Sequence, residues 1–466
     1  MDTQLELASM DATAVQDNYA PVHSEIEADK LVIRGELPRG LQGVLYRNGP
    51  NPRFPLPGLH WFGGDGMIHA IAIDNGQASY RNRWVRTPKW RDEDRAGRAL
   101  FRTFAGKLPD APAWAGKDGG VANTHIVQHA GQLLALEEGH LPTGIAPRTL
   151  ETLGYVDFGL PTGPFTAHPK TDPDTGEMVF FGYNATGMLS TGVRVGAIDA
   201  GGALRHVQEL QTPYCSMIHD FIVTQNHIVL PVLPLTGSLP RARQGGPAYA
   251  WEPGKAAMLG VLARGNPAGE VRWFEGPPCY VFHVMNAWEA DGRLHADVMM
   301  YDEAPLFPHA DGSAGNPARQ QAYLTRWTLD LSGAGNSFGV ERLDDAAGEF
   351  PRIDERRNGL PYRHGWFAAA DDDGSGELAG IVHADMVTGA RDRYAFPDGG
   401  VPSEPVFAAR GADEGDGWML TVVWQPETGR SEMQIFEACD IASGPLAAIE
   451  LPQRVPFGFH GSWVAG

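Results

Sequence analysis

The chain has little of what would place it in several large classes of protein. Cysteine occurs only three times in 466 residues, at Cys215, Cys279 and Cys439. The count is odd and no C-x-x-C spacing occurs, which argues against a disulfide framework and for a reducing compartment. Positive charge is scarce: 37 Lys and Arg stand against 57 Asp and Glu, a formal net charge of −20. Nucleic-acid backbones and anionic lipid surfaces are held by clustered Lys and Arg, so nucleic acid is not an expected partner and electrostatic attachment to lipid is opposed. The acidity itself reads as solubility. No apolar run approaches the ~18 residues of a membrane-spanning helix. The richest run, HIVLPVLPL, is short and broken by prolines. The opening MDTQLELASMDATAVQDN carries acids and no basic stretch ahead of an apolar core, so no secretory signal is expected and a cytoplasmic location is. Long helical patterns are nearly absent, and no strict internal repeat occurs.

What is present is a succession of short β-type runs bounded by turn residues, including HAIAIDNGQASYRNRWV, GEMVFFGYN, DFIVTQNHIVLPVL, RLHADVMMYDE and GWMLTVVWQ. Asn75-Gly76 reads as a tight hairpin turn, because both positions of a type I′ turn need positive φ. Asn226 and His227 interrupt FIVT and IVLPV in the same way. A long chain of hairpins without an evident linker must hide many sheet edges, and closure or radial repetition of four-stranded blades does so. Residues 1–25 read as a loosely held arm and 26–466 as a single domain. Segments 98–120 and 236–256 read as loops on one face of the body.

Four histidines stand in apolar or glycine-containing settings: His168 in FTAHPK, His219 in CSMIHDF, His283 in YVFHVMNAWE and His460 in PFGFHGSW. They are far apart, unlike the one-turn spacing of H-E-x-x-H zinc sites. An isolated histidine in a strand is more often a satisfied core or surface residue than a ligand. Apolar surroundings, however, disfavour the charged imidazolium and keep the ring in the neutral form that a metal needs. An all-imidazole set suits Fe, Cu, Zn or Ni.

The flanking segments give these histidines a context. YRNGPNP (Tyr46 to Pro52), HWFGGDGMIHA (His60 to Ala70), VANTHIV, ALEEGHLP, AHPK, MIHDF, FHVMNAWE, GEFPRID, PSEPVF and GFHGSW occur in that order. From about Leu31 to Trp463 the chain resembles the carotenoid cleavage oxygenase family, which includes apocarotenoid and lignostilbene dioxygenases. The resemblance implies an all-β, seven-bladed β-propeller, with loops and short helices forming a cap over one face. It implies one Fe(II) per chain with O2 as co-substrate, and His168, His219, His283 and His460 as the iron ligands. It implies that Glu138, Glu349 and Glu404 accept hydrogen bonds from the outer nitrogens of three of those rings, as carboxylates commonly do for metal-bound histidines. On sequence alone Glu349 and Glu404 could equally be surface acids. Thr124 matches a threonine whose methyl group crowds an open position on the metal. His60 and His69 are not made ligands by the resemblance. Gly63, Gly64 and Gly66 read as turn residues needing unusual dihedrals.

The implied reaction is cleavage of the C=C bond of an apolar conjugated alkene by O2 into two carbonyl products. The substrate is less determined. The phenol-binding Tyr and Lys of the lignostilbene and phenylpropene branch are matched here by Phe104 and Glu137, and neither can do the same work. A carotenoid or apocarotenoid is therefore expected ahead of a stilbenoid or phenylpropene. For Glu137 itself, a solvated strand charge is the plainer reading. A peripheral membrane contact through Leu100 to Ala115, with Leu108, Pro109, Pro112 and Trp114, competes with a packed active-site loop at that position. Two other classes stand against the oxygenase: a Ca- or Zn-dependent propeller hydrolase, which would need carboxylate ligands, and a non-catalytic lipid-binding propeller.

Overall fold

The computed structural model describes residues 16–56, 60–101, 114, 116–266, 269–371 and 375–466. The chain divides into two compact units. One is built mainly from Phe158–Gly365, the other from Leu378–Gly466 with the described residues of Ser9–Asp157.

Among the described residues of the Phe158–Gly365 unit, the strands of each sheet below run antiparallel. One sheet holds Lys170–Thr171, Met178–Tyr183, Gly192–Ile198 and Leu204–Gln211 in chain order. A second holds Ile222–Val223, His227–Val232, Ala257–Ala263 and Arg272–Gly276. A third run comprises Tyr280–Ala290, Arg293–Tyr301, Ala322–Asp330 and Phe338–Ile353. Sequence explains the layering. Met178–Tyr183 (MVFFGY) is apolar throughout and is buried at every position. Leu204–Gln211 (LRHVQELQ) alternates in burial between half-buried and exposed positions, as the period of two requires of an outer strand with one wet face, although its apolar residues do not follow that alternation and Val207 is exposed. The 236–256 segment is not a simple loop. It forms a two-stranded ribbon, Leu235–Gly237 with Tyr249–Trp251, around a short helix at Leu239–Arg243.

In the other unit, a five-stranded sheet runs Glu27–Ala28, Gln77–Trp84, Gly66–Asp74, Gly43–Pro50, Gly461–Ala465. Its central hairpin turns at Asn75 and Gly76 with φ of 48° and 74°, as the Asn-Gly pair predicts. A second sheet runs Ile33–Gly35, Ala447–Glu450, Arg430–Glu437, Gly417–Gln425, Val401–Pro402, with Val406–Ala409 also paired to Gly417–Gln425. A third holds His125–His129, Gln132–Leu136, Thr143–Ile145 and Thr152–Tyr155. Early and late segments thus share two sheets. Their core includes Leu45, Ile71, Tyr80, Leu420, Ile435 and Ile449, all nearly inaccessible.

Two readings need correction. The described part of the N-terminal arm is tied down. Asn18 is buried and its carbonyl accepts from Phe457 N and Arg454, and Val22 exchanges two hydrogen bonds with Asn51. Residues 1–15 lie outside the described residues. The glycines of HWFGGDGMIHA are not there for positive φ, since none of the three adopts it. Gly66 and Gly64 are required by close approach instead: a Cβ on Gly66 would stand 2.4 Å from the Ala122 carbonyl oxygen, and one on Gly64 2.9 Å from Pro50 Cβ.

Candidate metal centre

His168, His219 and His283 sit where ladders begin or break. His168 stands two residues before the Lys170–Thr171 strand, and its N–H donates to Thr166 Oγ1 at 2.9 Å. His219 stands three residues before Ile222–Val223. His283 lies within Tyr280–Ala290, where the register against Arg293–Tyr301 slips between Val281 and Val284. Such an irregularity re-aims a side chain that a regular pleat would send elsewhere. The Nε2 atoms of His168 and His219 are 3.1 Å apart, and those of His219 and His283 are 3.2 Å apart.

His460 directly precedes the Gly461–Ala465 strand. Its carbonyl accepts from Asn48 N at 2.9 Å and its N–H donates to the Thr124 carbonyl at 3.1 Å, so the backbone is pinned on both sides. His168, His219 and His283, which belong to one unit, are all buried with their Nε2 atoms turned toward one another, and His460, in the other unit, is buried as well.

Carboxylates set the tautomers. His283 Nδ1 donates to Glu349 Oε2 at 2.5 Å, and His460 Nδ1 donates to Glu404 Oε1 at 2.8 Å. Glu349 also accepts from Tyr301 OH at 3.1 Å and from Phe350 N at 2.6 Å, and Glu404 accepts from Gly461 N at 2.8 Å. Neither is a surface acid. Phe350 holds φ of 57°, a left-handed conformation that costs a bulky residue roughly 1–3 kcal/mol. Its ring stacks on His283 at 5.4 Å, so the strained residue braces the ring while its N–H braces the acid. Burial pushes the neighbouring Tyr301 hydroxyl well up, reinforced by the Glu349 charge, so Tyr301 stays a proton donor.

The donor set fits a metal. A neutral imidazole carries one N–H, and His283 directs its own at Glu349, leaving an Nε2 lone pair. His219 Nε2 faces both His168 Nε2 and His283 Nε2, and a single proton there satisfies at most one of them. A cation among converging lone pairs satisfies all of them, and nitrogen-only donors suit Fe, Cu, Zn or Ni.

The remaining expectations fare unevenly. Thr124 is half-buried beside His460, with its hydroxyl donating to Asn123 Oδ1 at 3.0 Å. Glu138 is half-buried just past the Gln132–Leu136 strand. Glu137 is neither a solvated charge nor a free acid facing a substrate. It accepts from Val121 N at 3.1 Å and pairs with His140 at 2.7 Å, while His140 also meets Asp118 at 3.3 Å. Burial alone would lower the His140 pKa, but Glu137 and then Asp118 raise it to about 9. His69 is a neutral core residue: burial first, then the charges of Arg47 and Arg454, lower its pKa to about 3, and its ring bonds to Tyr80 OH at 2.7 Å. His60 caps a short turn by accepting from Phe62 N. Phe104, Leu108, Pro109 and Pro112 lie outside the described residues. Among those described, Leu100 and Phe101 are buried, and no helix is long and apolar enough to cross a membrane. No disulfide joins the three cysteines. Sequence reasoning missed Asp220, a buried carboxylate bonded to Lys170 and Val284. An acid directly after a histidine gives no sign of such partners.

Comparison with known proteins places this geometry. The chain is 35% identical to an isoeugenol monooxygenase of Pseudomonas nitroreducens, over 95% of its own length and 96% of the relative's. It is 34% identical to lignostilbene-alpha,beta-dioxygenase isozyme III of Sphingomonas paucimobilis, over 97% of each chain. The crystal structure of Pseudomonas brassicacearum lignostilbene dioxygenase superposes with a TM-score of 0.92 at 34% identity, covering 98% of this chain and 99% of that one. Fold and relatives together define an alkene-cleaving oxygenase on an all-β propeller, as the sequence motifs lead one to expect. Residues 19–465 match the family described as retinal pigment epithelial membrane protein, and the chain belongs to that family of carotenoid cleavage oxygenases.

Proposed function

We propose that His168, His219, His283 and His460 hold one Fe(II), and that the enzyme cleaves the C=C bond of an aromatic conjugated alkene, a stilbenoid or phenylpropene, with O2. The observation that carries the reading is the convergence of the buried His168, His219 and His283 ring nitrogens, with the outer nitrogen of His283 on Glu349 and that of the buried His460 on Glu404. Bound Fe(II) would supply the binding and activation of dioxygen. The reaction balances without a further reductant: the alkene carbons and the two oxygen atoms leave as two carbonyl groups.

The protein's own residues then have defined work. Glu349 and Glu404 fix tautomers and strengthen the donors, and Glu138 is the proposed third acid of that set. Burial keeps water away from the rings. Thr124, whose carbonyl holds the His460 backbone, is proposed to narrow the approach to the iron. No side-chain acid or base is required; the chain contributes binding and orientation.

The aromatic class is placed ahead of the apocarotenoid class because isoeugenol and lignostilbene enzymes are similar over nearly the whole chain. The main objection to a phenol was Glu137 as a bare negative charge. Paired with a His140 whose pKa is raised to about 9, Glu137 is not a bare charge, although Asp118 leaves the cluster with one negative charge in excess near pH 7. Phe104 in place of a tyrosine still argues for a weaker phenol preference. A cytoplasmic location remains part of the proposal, resting on the small and odd number of cysteines in the sequence. The test is to incubate iron-loaded enzyme with isoeugenol, a hydroxystilbene and an apocarotenal and to identify aldehydes by mass spectrometry. Aromatic aldehydes from the first two are expected. Cleavage of the apocarotenal alone would reverse the substrate order, and cleavage of none would refute the reading.

A further inference from the structure

Asp220 follows His219 directly, and its side chain is only 2% exposed. Its carboxylate is fully subscribed. Oδ1 accepts from Phe221 N at 2.7 Å and lies 2.9 Å from Lys170 Nζ in an ion pair; Oδ2 accepts from Val284 N at 2.9 Å and from Lys170 Nζ at 3.1 Å. Lys170 lies two residues after His168, and Val284 lies immediately after His283. One buried carboxylate therefore touches the three segments that carry His168, His219 and His283.

Ladder hydrogen bonds alone fix these segments poorly. Lys170–Thr171 and Ile222–Val223 are strands of two residues each, and the His283 strand loses register between Val281 and Val284. The rings emerge where backbone pairing is thinnest, from strands of three different sheets. A carboxylate with about four acceptor sites is suited to joining them, and here it accepts three hydrogen bonds beside its ion pair with Lys170. A buried ion pair is a weak device for stability, since the desolvation of two charges offsets much of their attraction. Its best-attested use is to fix one arrangement among several. Glu349 reaches only one of the ring-bearing segments, that of His283. Asp297 is fully inaccessible and holds Arg326 and Tyr362.

We infer that Asp220 and Lys170 are positioning residues that set the spacing of His168, His219 and His283, so that metal affinity depends on them although neither is a ligand. The inference rests on the metal-site reading above. Its test is cobalt(II) binding to metal-free full-length protein, by chelator competition and by the visible absorption of bound cobalt, beside the thermal midpoint of each metal-free variant. Asp220→Asn is expected to weaken cobalt binding roughly 10–100-fold, the range typical of groups that orient ligands, and to shift the absorption band. Lys170→Met should act in the same direction with a smaller loss, and it decides the matter should Asp220→Asn fail to fold. Asp297→Asn should lower the midpoint while binding cobalt as the parent does. Parental affinity in Asp220→Asn and Lys170→Met, or an equal loss in Asp297→Asn, would overturn the positioning role. His219→Ala separates the two levels: retained cobalt in that variant would remove the metal-site reading itself.

Discussion

His283 concentrates the physics of the site. Its ring is braced by a stacked Phe350 in a left-handed conformation, its proton is directed at Glu349, and its strand is out of register at that point. Replacing it with alanine is expected to remove bound iron and alkene cleavage together; retained turnover would contradict the ligand assignment. Glu404→Gln keeps the size and one acceptor but loses the charge, so iron affinity should fall roughly 10–100-fold rather than vanish, readable by chelator competition. His140 gives a prediction in pH. Its folded-state pKa is raised to about 9, against an unfolded value near 6.5. Its contribution to stability is therefore complete below about pH 6.5 and lost as pH rises through about 9. With the side chain about a third exposed, solvent screens the effect. The thermal midpoint should decline more steeply between those pH values in the parent than in His140→Gln, and parallel curves would refute the pairing. At this scale the histidines were legible because apolar neighbours isolate them in the sequence. Glu349 and Glu404 were legible only through the motif resemblance. Asp220 was not legible, since its donors come from residues 50 and 64 positions away.

At the level of elements, the Asn75-Gly76 hairpin could be read directly, because a turn that needs two positive φ values narrows the residue choice. The irregularity at His283 could not. YVFHVMNAWE is nearly apolar throughout and buried on both faces at its start, so no alternation exists for a slip to interrupt. The HWFGGDGMIHA glycines were legible as necessary but misread in kind: tight packing against Ala122 and Pro50, not dihedral freedom, excludes a side chain. Gly66→Ala is expected to destabilise by about 1–3 kcal/mol through forced backbone displacement, measurable as a lower denaturant midpoint with an unchanged slope. An unchanged midpoint would show that the approach relaxes freely. The same region holds a further device that patterning does not reveal. Lys89 is buried between Asp65 and Glu93 at 2.7 and 2.8 Å, and Glu93 accepts from the N–H groups of Leu100 and Phe101. That triad fixes the chain where the 98–120 segment departs.

For the whole molecule, the abundance of short alternating runs and the near absence of helical periodicity sufficed for an all-β class. The propeller came from the order of the motifs, because degenerate blades leave no repeat to count. Early and late strands share sheets, as Gly43–Pro50 does with Gly461–Ala465, and His460 is set by that closure. Ligands drawn from remote segments imply that metal binds the folded state and not the unfolded chain, so loading should raise the thermal midpoint. His283→Ala should show no such rise. The most direct test of the central claim is the metal content of the purified protein reconstituted anaerobically with Fe(II). About one iron per chain, lost in each of the four histidine variants, is the predicted result. Iron retained by those variants, or a chain that takes up none while folded, would contradict it.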